Sequence, residues 1–288
     1  MAFQEAPQGK YVRIGEHQMF TLDVGSGEPI FFLHGGGPGA TGWVDFGMLL
    51  PYFADRRCVI PDLFMYGKSD LVHHEEPIWS FHARSVDGLM TELGIESADF
   101  VCSSVGGSVA LALAIEYPNR VRRIVMSGSN PTFEMPGRPG GGAGPGAEWV
   151  QRYYAGEGPT WQKAKDLMGD LEYWDPNLIP DSTVTERYEN TMRPEWLDLI
   201  RDQSTKNTRQ DLHARLSEVK APVLLLYGKG EVIATKEYAL FLSDQIPGSE
   251  VFIMDRTRHH PEEERPADYC KIVRAWLSFS GEATGPWT

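Results

Sequence analysis

The sequence predicts an α/β fold, in which eight strands form a mostly parallel sheet flanked by helices, with a helical cap inserted after the sixth strand. Three observations predict it. Short apolar segments alternate with stretches of helical periodicity, which is typical of a parallel sheet covered by helices. The first two segments, YVRIG and MFTLDV, alternate in polarity as a hairpin does. The stretch 131–208 contains no strand pattern.

The remaining predicted strands are short apolar runs bounded by turn residues. After the hairpin between Tyr11 and Val24, they are Ile30–Leu33, Arg57–Leu63, Ala98–Ser103, Val121–Ser127, Pro222–Tyr227 and Glu250–Met254. Apolar residues recur at helical spacing in the stretches between them. The predicted helices are Trp43–Phe53, Ser80–Leu93, Gly106–Tyr117, Lys236–Gln245 and Ala267–Phe279. Because strands and helices alternate, most neighbouring strands should be parallel.

The stretch 131–208 is predicted to be a helical cap, which divides the core into residues 1–130 and 209–288. A glycine- and proline-rich run at 136–146 is interpreted as a mobile loop at the opening of the cap, and a disordered linker is the alternative. Aromatic side chains in the cap indicate either an apolar substrate or the core of the cap itself. They are Trp149, Tyr153, Tyr154, Trp161 and Trp174.

The composition is that of a globular protein, since 41% of the 288 residues are hydrophobic and 23% are charged. A formal charge of −13 creates a negative field that disfavours nucleic acid and anionic membranes as partners. An anionic substrate would need a local basic group in its pocket. No run of about 18 apolar residues and no leader pattern occur, so we expect a cytoplasmic protein. Cys58, Cys102 and Cys270 are predicted to be free buried thiols.

The strongest chemical motif is VCSSVGG at 101–107, between an apolar strand and a predicted helix. A nucleophile at such an elbow occupies a strained turn, so the residues two positions before and after it must be small. Cys102 and Gly106 fill these positions around Ser104, although cysteine replaces the more usual glycine. The pattern predicts Ser104 as a nucleophile, and a simple tight turn is the alternative.

The segment HGGGPG at 34–39 directly follows a predicted strand. Glycines let backbone N–H groups approach a reacting carbonyl, so the amides of Gly36 and Val105 are predicted to form an oxyanion hole. A phosphate-binding loop is disfavoured because the spacings of the Walker lysine and of the dinucleotide-binding glycines are missing. An ordinary glycine turn is the other alternative.

A general base is expected after a late strand, and His259 follows the strand that ends at Met254. The orienting acid should precede it in the chain, in the loop after PVLLLY, where Glu231 stands. The alternative is that Glu231 is a solvated surface carboxylate and that Asp255 is the acid. The adjacent histidines lack a third ligand at helical spacing, so neither a metal nor a cofactor is predicted.

The whole pattern resembles the α/β-hydrolase superfamily and, within it, the bacterial meta-cleavage product hydrolases, which split carbon–carbon bonds in ring-fission dienoates. The resemblance covers nearly all of the chain, and its most specific parts are HGGGPGA at 34–40 and RYE at 187–189. It implies that Arg187 in the cap binds a substrate carboxylate, with a surface arginine as the alternative. It also implies that Gly35 and Gly37 lie against a small-molecule substrate, and it is compatible with a homo-oligomer.

This chain departs from the family pattern at four positions. Ser103 and Asp45 stand where asparagine is usual, His260 stands where tryptophan is usual, and Glu231 replaces aspartate. An ionised Asp45 would repel a substrate carboxylate. Ser103, Asp45 and His260 are therefore candidate substrate contacts. The resemblance predicts the fold of this chain but does not identify its substrate.

The resemblance implies a serine-dependent hydrolase that cleaves a carbon–carbon bond in a 2-hydroxy-6-oxo-dienoate after its dienol ketonises. A carboxylesterase or lactonase with the same three side chains is the alternative, favoured by the altered asparagines. A non-catalytic ligand-binding protein is the third hypothesis, against which the intact Ser104 and His259 argue. Epoxide hydrolysis and dehalogenation are disfavoured because those family members carry aspartate at the elbow.

Overall fold

Eight strands form one sheet in the computed structural model, which describes residues 6–136, 145–201 and 209–279. They are β1 (Lys10–Ile14), β2 (His17–Gly25), β3 (Pro29–Leu33), β4 (Arg57–Pro61), β5 (Ala98–Ser103), β6 (Val121–Ser127), β7 (Val223–Gly228) and β8 (Ser249–Met254). Their order is β1-β2-β4-β3-β5-β6-β7-β8. The pairs β1/β2 and β2/β4 are antiparallel, and the other five are parallel. The predicted fold class is confirmed.

Helices cover both faces of this sheet. The α-helices of the described residues are α1 (Gly42–Phe46), α2 (Ile78–Glu92), α3 (Val105–Glu116), α4 (Pro145–Tyr154), α5 (Trp161–Leu167), α6 (Asp181–Thr191), α7 (Pro194–Arg201), α8 (Lys236–Gln245), α9 (Pro261–Glu264) and α10 (Pro266–Ser278). Side chains of β3 alternate between two cores, with Phe31 and Leu33 packed among α2, α3 and α8, and Ile30 and Phe32 packed near α10. Apolar residues on both faces bury the strands completely at the centre of the sheet.

The stretch predicted as one helix at Trp43–Phe53 is in fact two short helices. Thr41 begins α1 by accepting the N–H of Val44 at 3.2 Å, and a 3₁₀ helix then spans Gly47–Phe53. Pro51 lies inside the second helix and has no backbone N–H to donate, which disfavours a continuous α-helix.

Helices α4 to α7 lie between β6 and β7, within the stretch predicted to be the cap. They have a small core of their own. It consists of Tyr153, Ala164, Leu167, Met168, Leu171, Tyr173, Ile179 and Val184. Most of the glycine-rich run at 136–146 lies outside the described residues. The domain boundaries at 130 and 208 stay a prediction.

The carboxyl ends of the parallel strands lie along one edge of the sheet, which is where open α/β sheets usually bind ligands. The glycine loop follows β3 and Ser104 follows β5. Glu231 lies in the loop after β7, and His259 lies in the loop after β8. The topology therefore brings together segments that are far apart in the sequence.

Candidate active site

Ser104 forms the turn between β5 and α3, with φ 48° and ψ −113°. A positive φ is unfavourable for a residue with a side chain, and such strain is typical of a nucleophile elbow. Gly106 permits the close approach of this turn to β3, since a Cβ there would lie 2.0 Å from the carbonyl oxygen of Leu33. Cys102 is fully buried, so its small side chain fits the position where glycine is more usual.

The glycine loop after β3 packs against the first turn of α3. A Cβ on Gly36 would lie 2.4 Å from Cγ2 of Val105, and the N–H of Gly106 donates to the carbonyl of His34 at 3.1 Å. Val105 is the first residue of α3, and first-turn amides have no acceptor within their own helix. The two amides predicted to form an oxyanion hole thus belong to adjoining backbone segments beside Ser104.

His34 orients this loop, a role that the sequence analysis did not assign. Its buried imidazole donates from Nδ1 to the carbonyl of Gly35 at 2.6 Å and accepts the N–H of Leu63 at Nε2 at 2.9 Å. A neutral imidazole has one donor and one acceptor, so these two partners define its tautomer. In the sequence, this role was indicated by the position of His34 between a buried strand and three glycines.

His259 and Glu231 form a hydrogen-bonded pair. Nδ1 of His259 lies 2.6 Å from Oε2 of Glu231, and the other carboxylate oxygen accepts the N–H of Ile233 at 2.7 Å. The Glu231 side chain is fully buried, so both contacts hold it in one orientation. This arrangement can fix the tautomer of the imidazole and stabilise its protonated form. Asp255, the alternative acid, is 59% exposed and pairs with Lys229 at 3.0 Å.

Ser104 and His259 both pack against the end of β6. The N–H of Ser104 donates to the carbonyl of Ser127 at 2.7 Å. The next residue, Gly128, has a φ of +59°, and a Cβ there would lie 2.7 Å from Nδ1 and Cε1 of His259. The predicted nucleophile and the predicted base therefore contact adjacent residues, Ser127 and Gly128.

Six buried ionisable side chains lie beside the glycine loop and form what we call the buried charge cluster. They are Asp45, Glu172, Arg187, His260, Glu262 and Glu263. A Cβ on Gly37 would lie 3.4 Å from Oε1 of Glu172 and 3.6 Å from Nη2 of Arg187. A Cβ on Gly35 would lie 3.5 Å from Oδ2 of Asp45. The structure thus brings Asp45, Arg187 and His260, which were named from the sequence, into one cluster. Glu172, Glu262 and Glu263 also belong to it and were not named from the sequence.

Arg187 already has a carboxylate partner within the protein. Its Nη1 donates to Oε2 of Glu172, and its Nη2 lies 3.8 Å from Oδ1 of Asp45. Burial disfavours the charged guanidinium, but Glu172 and Asp45 more than offset burial and raise the pKa of Arg187. Glu172 ends a π-helix, Met168–Glu172, and π-helical turns are frequent at functional sites. No motif surrounds Glu172 in the sequence, which is why it was missed.

His260 is surrounded by carboxylates. Its Nδ1 lies 2.9 Å from Oε1 of Glu262 and 3.3 Å from Oγ of Ser103, and its Nε2 lies 3.7 Å from Oε2 of Glu172. Burial disfavours the imidazolium, but Glu263, Glu262 and Glu172 more than offset burial and raise the pKa of His260 well above its ordinary value. His260 is therefore a second cation of the cluster at neutral pH.

The buried charge cluster predicts that the folded state loses stability in alkali. Burial raises the pKa of Glu263 to about 8, although His260 and Arg187 lower it in part. The pKa of His260 is raised as well, so both groups bind protons more tightly in the folded state. His260 stabilises the fold fully below its unfolded pKa of about 6.5, and this contribution is lost as pH rises through its folded pKa. Glu263 contributes to the stability of the fold in the same way, and its contribution is lost as pH rises from its unfolded pKa to about 8.

We therefore expect the Tm to fall as pH rises from about 6 to about 9 in calorimetry, and the fall to be smaller for Glu263→Gln. Asp268→Asn removes an exposed carboxylate outside the cluster and should keep the wild-type pH profile. A wild-type Tm that stays constant or rises over this range would refute the assignment.

Among residues 6–136, 145–201 and 209–279, no three histidine, cysteine or acidic side chains are arranged to hold a metal ion. Within the same ranges, no helix has the length and apolar character needed to cross a membrane. Cys58, Cys102 and Cys270 are free and buried, as the sequence predicted.

Comparisons with known proteins support the fold and identify the family. Residues 28–266 match the family described as alpha/beta hydrolase fold. The chain is 30% identical over 292 residues to a 2-hydroxy-6-oxo-6-phenylhexa-2,4-dienoate hydrolase of Burkholderia cepacia, covering 95% of this chain and 98% of that protein. It is 30% identical over 289 residues to a 2-hydroxy-6-oxononadienedioate/2-hydroxy-6-oxononatrienedioate hydrolase of Comamonas testosteroni, with the same coverage. A crystal structure of a meta-cleavage product hydrolase superposes with a TM-score of 0.82 at 21% identity, covering 94% of this chain and 98% of that one, which supports the fold.

Proposed function

Because this chain belongs to the α/β-hydrolase fold family, and within it to the meta-cleavage product hydrolases, we propose that it cleaves a carbon–carbon bond in a 2-hydroxy-6-oxo-dienoate-type ring-fission product. In this proposal Ser104 is the nucleophile, His259 is the general base and Glu231 orients His259. The observation that carries the assignment is the 2.6 Å pair of His259 and Glu231, which packs against Gly128. The carbonyl of the preceding residue, Ser127, accepts the N–H of the strained Ser104.

The first chemical steps require a proton transfer and a nucleophilic attack. The dienol of the substrate ketonises by moving its hydroxyl proton to C5. Oγ of Ser104 then attacks the C6 carbonyl carbon while His259 Nε2 takes the hydroxyl proton. Negative charge develops on the C6 oxygen, where the amides of Gly36 and Val105 can donate to it.

The carbon–carbon bond breaks when this tetrahedral intermediate collapses. The electron pair of the C5–C6 bond passes through the conjugated chain to the C2 oxygen, and the proton held by His259 neutralises the leaving dienolate. The acyl group remains on Ser104. A water molecule then gives a proton to His259 while its oxygen attacks the acyl carbon. The bond between this carbon and Oγ of Ser104 breaks, the proton passes from His259 to Oγ, and the carboxylic acid leaves.

An esterase or lactonase acting through the same groups is the second candidate function. One observation favours it. Glu172 and Asp45 already neutralise Arg187, so no free cation among the described cluster residues is available for a dienoate carboxylate. An uncharged ester or lactone needs no such cation.

The test is a parallel assay on two dienols, an ester and a lactone. We expect the purified protein to remove the visible absorbance of 2-hydroxy-6-oxo-6-phenylhexa-2,4-dienoate or of its neutral carboxamide. Turnover of nitrophenyl butyrate or a simple lactone, with no change in either dienol at high enzyme concentration, would select the esterase or lactonase. Binding without turnover of any substrate would select a ligand-binding protein.

The proposal includes a small-molecule substrate and a cytoplasmic location, and self-association is compatible with it. Cell fractionation and light scattering of the purified protein are the measurements that check location and oligomeric state.

A further inference from the structure

We infer that Glu172 occupies the position of an anionic ligand beside Arg187, so that the site selects substrates whose polar end is uncharged. The inference rests on the proposed function for the position of the pocket and deepens it by naming the charge class of the substrate. The substrate would retain the dienol and ketone that the reaction needs, but its carboxyl end would be absent or masked as an amide.

The buried charge cluster is close to the proposed nucleophile. A Cβ on Gly35 would lie 3.4 Å from Cβ of Ser104 and 3.5 Å from Oδ2 of Asp45. One glycine therefore separates the nucleophile from the cluster. A conjugated chain that reaches a few carbon atoms beyond its reacting carbonyl must approach this region.

The buried charge cluster contains more acidic than basic side chains. Four carboxyl groups belong to it, and the cations among its members are Arg187 and His260. Protonation of Glu263, whose pKa is raised to about 8, removes one negative charge near neutral pH and leaves three carboxylates against two cations. A further carboxylate from the substrate would be buried without a cation of its own, which is costly in a low-dielectric site.

Two polar atoms of the cluster indicate what would bind instead. Within the described residues, Oδ1 of Asp45, Nε of Arg187 and Oε1 of Glu263 are buried without a hydrogen-bond partner. Oε1 of Glu263 lies 3.5 Å from Nδ1 of His260, so the atoms of Asp45 and Arg187 are the two considered for a ligand. An unpaired buried acceptor and an unpaired buried donor are both unfavourable. A carboxamide, whose N–H and carbonyl oxygen are adjacent, would satisfy both. A carboxylate has no proton to donate to Asp45.

The experiment compares 2-hydroxy-6-oxo-6-phenylhexa-2,4-dienoate with its primary carboxamide. For the wild type, we expect kcat/KM to be at least about tenfold higher for the amide. Glu172→Gln removes the internal carboxylate with little change in shape. It should raise kcat/KM for the acid at least about tenfold, because the guanidinium of Arg187 then lacks its closest counter-ion.

Asp181→Asn is the matched control. Asp181 is also a cap carboxylate that pairs with a cation, Lys165 at 2.8 Å, but it is 74% exposed. This variant should keep the wild-type preference. A wild-type kcat/KM for the acid equal to or above that for the amide overturns the inference, whether or not Glu172→Gln folds.

Binding separates this inference from the proposed function. The dissociation constants of the acid and the amide can be measured by calorimetry on Ser104→Ala. Because this variant lacks the nucleophile, they report binding without the cleavage step. Tighter binding of the amide with no turnover of either compound by the wild type would support the charge selection and refute carbon–carbon cleavage. Equal binding, tighter binding of the acid, or no binding of either compound would refute the charge selection.

Discussion

Replacing Ser104 with alanine is expected to lower kcat by about 10⁶-fold, because the hydroxyl forms the covalent bond on which every later step depends. The fold should survive, since alanine removes one oxygen atom and the N–H of residue 104 still donates to Ser127. The measurement is kcat on the substrate with the highest wild-type turnover, with circular dichroism to verify the fold.

Ser108→Ala is a matched control for this variant. Ser108 lies one turn further along α3 and is fully buried, and within the described residues its hydroxyl has no hydrogen-bond partner. Its replacement should leave kcat close to the wild-type value. Retention of more than a few per cent of wild-type kcat by Ser104→Ala would rule out Ser104 as the nucleophile.

Glu231→Gln is expected to lower kcat by about 10⁴-fold. The glutamine amide can direct an N–H towards Nδ1 of His259, which would favour the tautomer that carries its proton on Nε2. That tautomer cannot accept the proton of Ser104. The variant also loses the negative charge that stabilises the imidazolium, so kcat should fall far more than KM changes.

Asp255→Asn distinguishes the two candidate acids. Because Asp255 is exposed and pairs with Lys229, its replacement should leave kcat within about twofold of the wild type. A large loss in Asp255→Asn together with a small loss in Glu231→Gln would reverse the assignment of the acid.

The sequence predicted the parts of this protein that depend on local pattern. Apolar runs between helical segments indicated β3 to β8, because strands covered by helices on both faces are apolar over most of their length. Alternating polarity indicated the hairpin of β1 and β2. The one helix that was predicted wrongly, at Trp43–Phe53, contains Pro51, whose effect on a short helix depends on how the chain packs.

The residues proposed for catalysis were accessible from the sequence because each follows a strand. Ser104, Glu231 and His259 come after β5, β7 and β8, and the parallel topology brings these ends to one edge of the sheet. Their roles remain a prediction for the variants above to test.

The buried charge cluster could not be predicted in full. Glu172 and Arg187 are fifteen residues apart, and their contact depends on how the π-helix at Met168–Glu172 is oriented relative to α6. Glu262 and Glu263 belong to a run of three glutamates at 262–264, and both are buried against His260. Such contacts depend on tertiary packing. They join residues whose spacing in the sequence matches no helix, strand or motif pattern, so a single sequence does not predict them.

The central claim is that the hydroxyl of Ser104 is activated by His259, and covalent labelling tests it most directly. The protein is incubated with a fluorophosphonate probe, and the adduct is located by mass spectrometry of the digested protein. We expect one adduct on Ser104 in the wild type, none at this position in Ser104→Ala, and much slower labelling in His259→Ala. An unlabelled wild type, or an adduct on another residue that persists in Ser104→Ala, would contradict the claim.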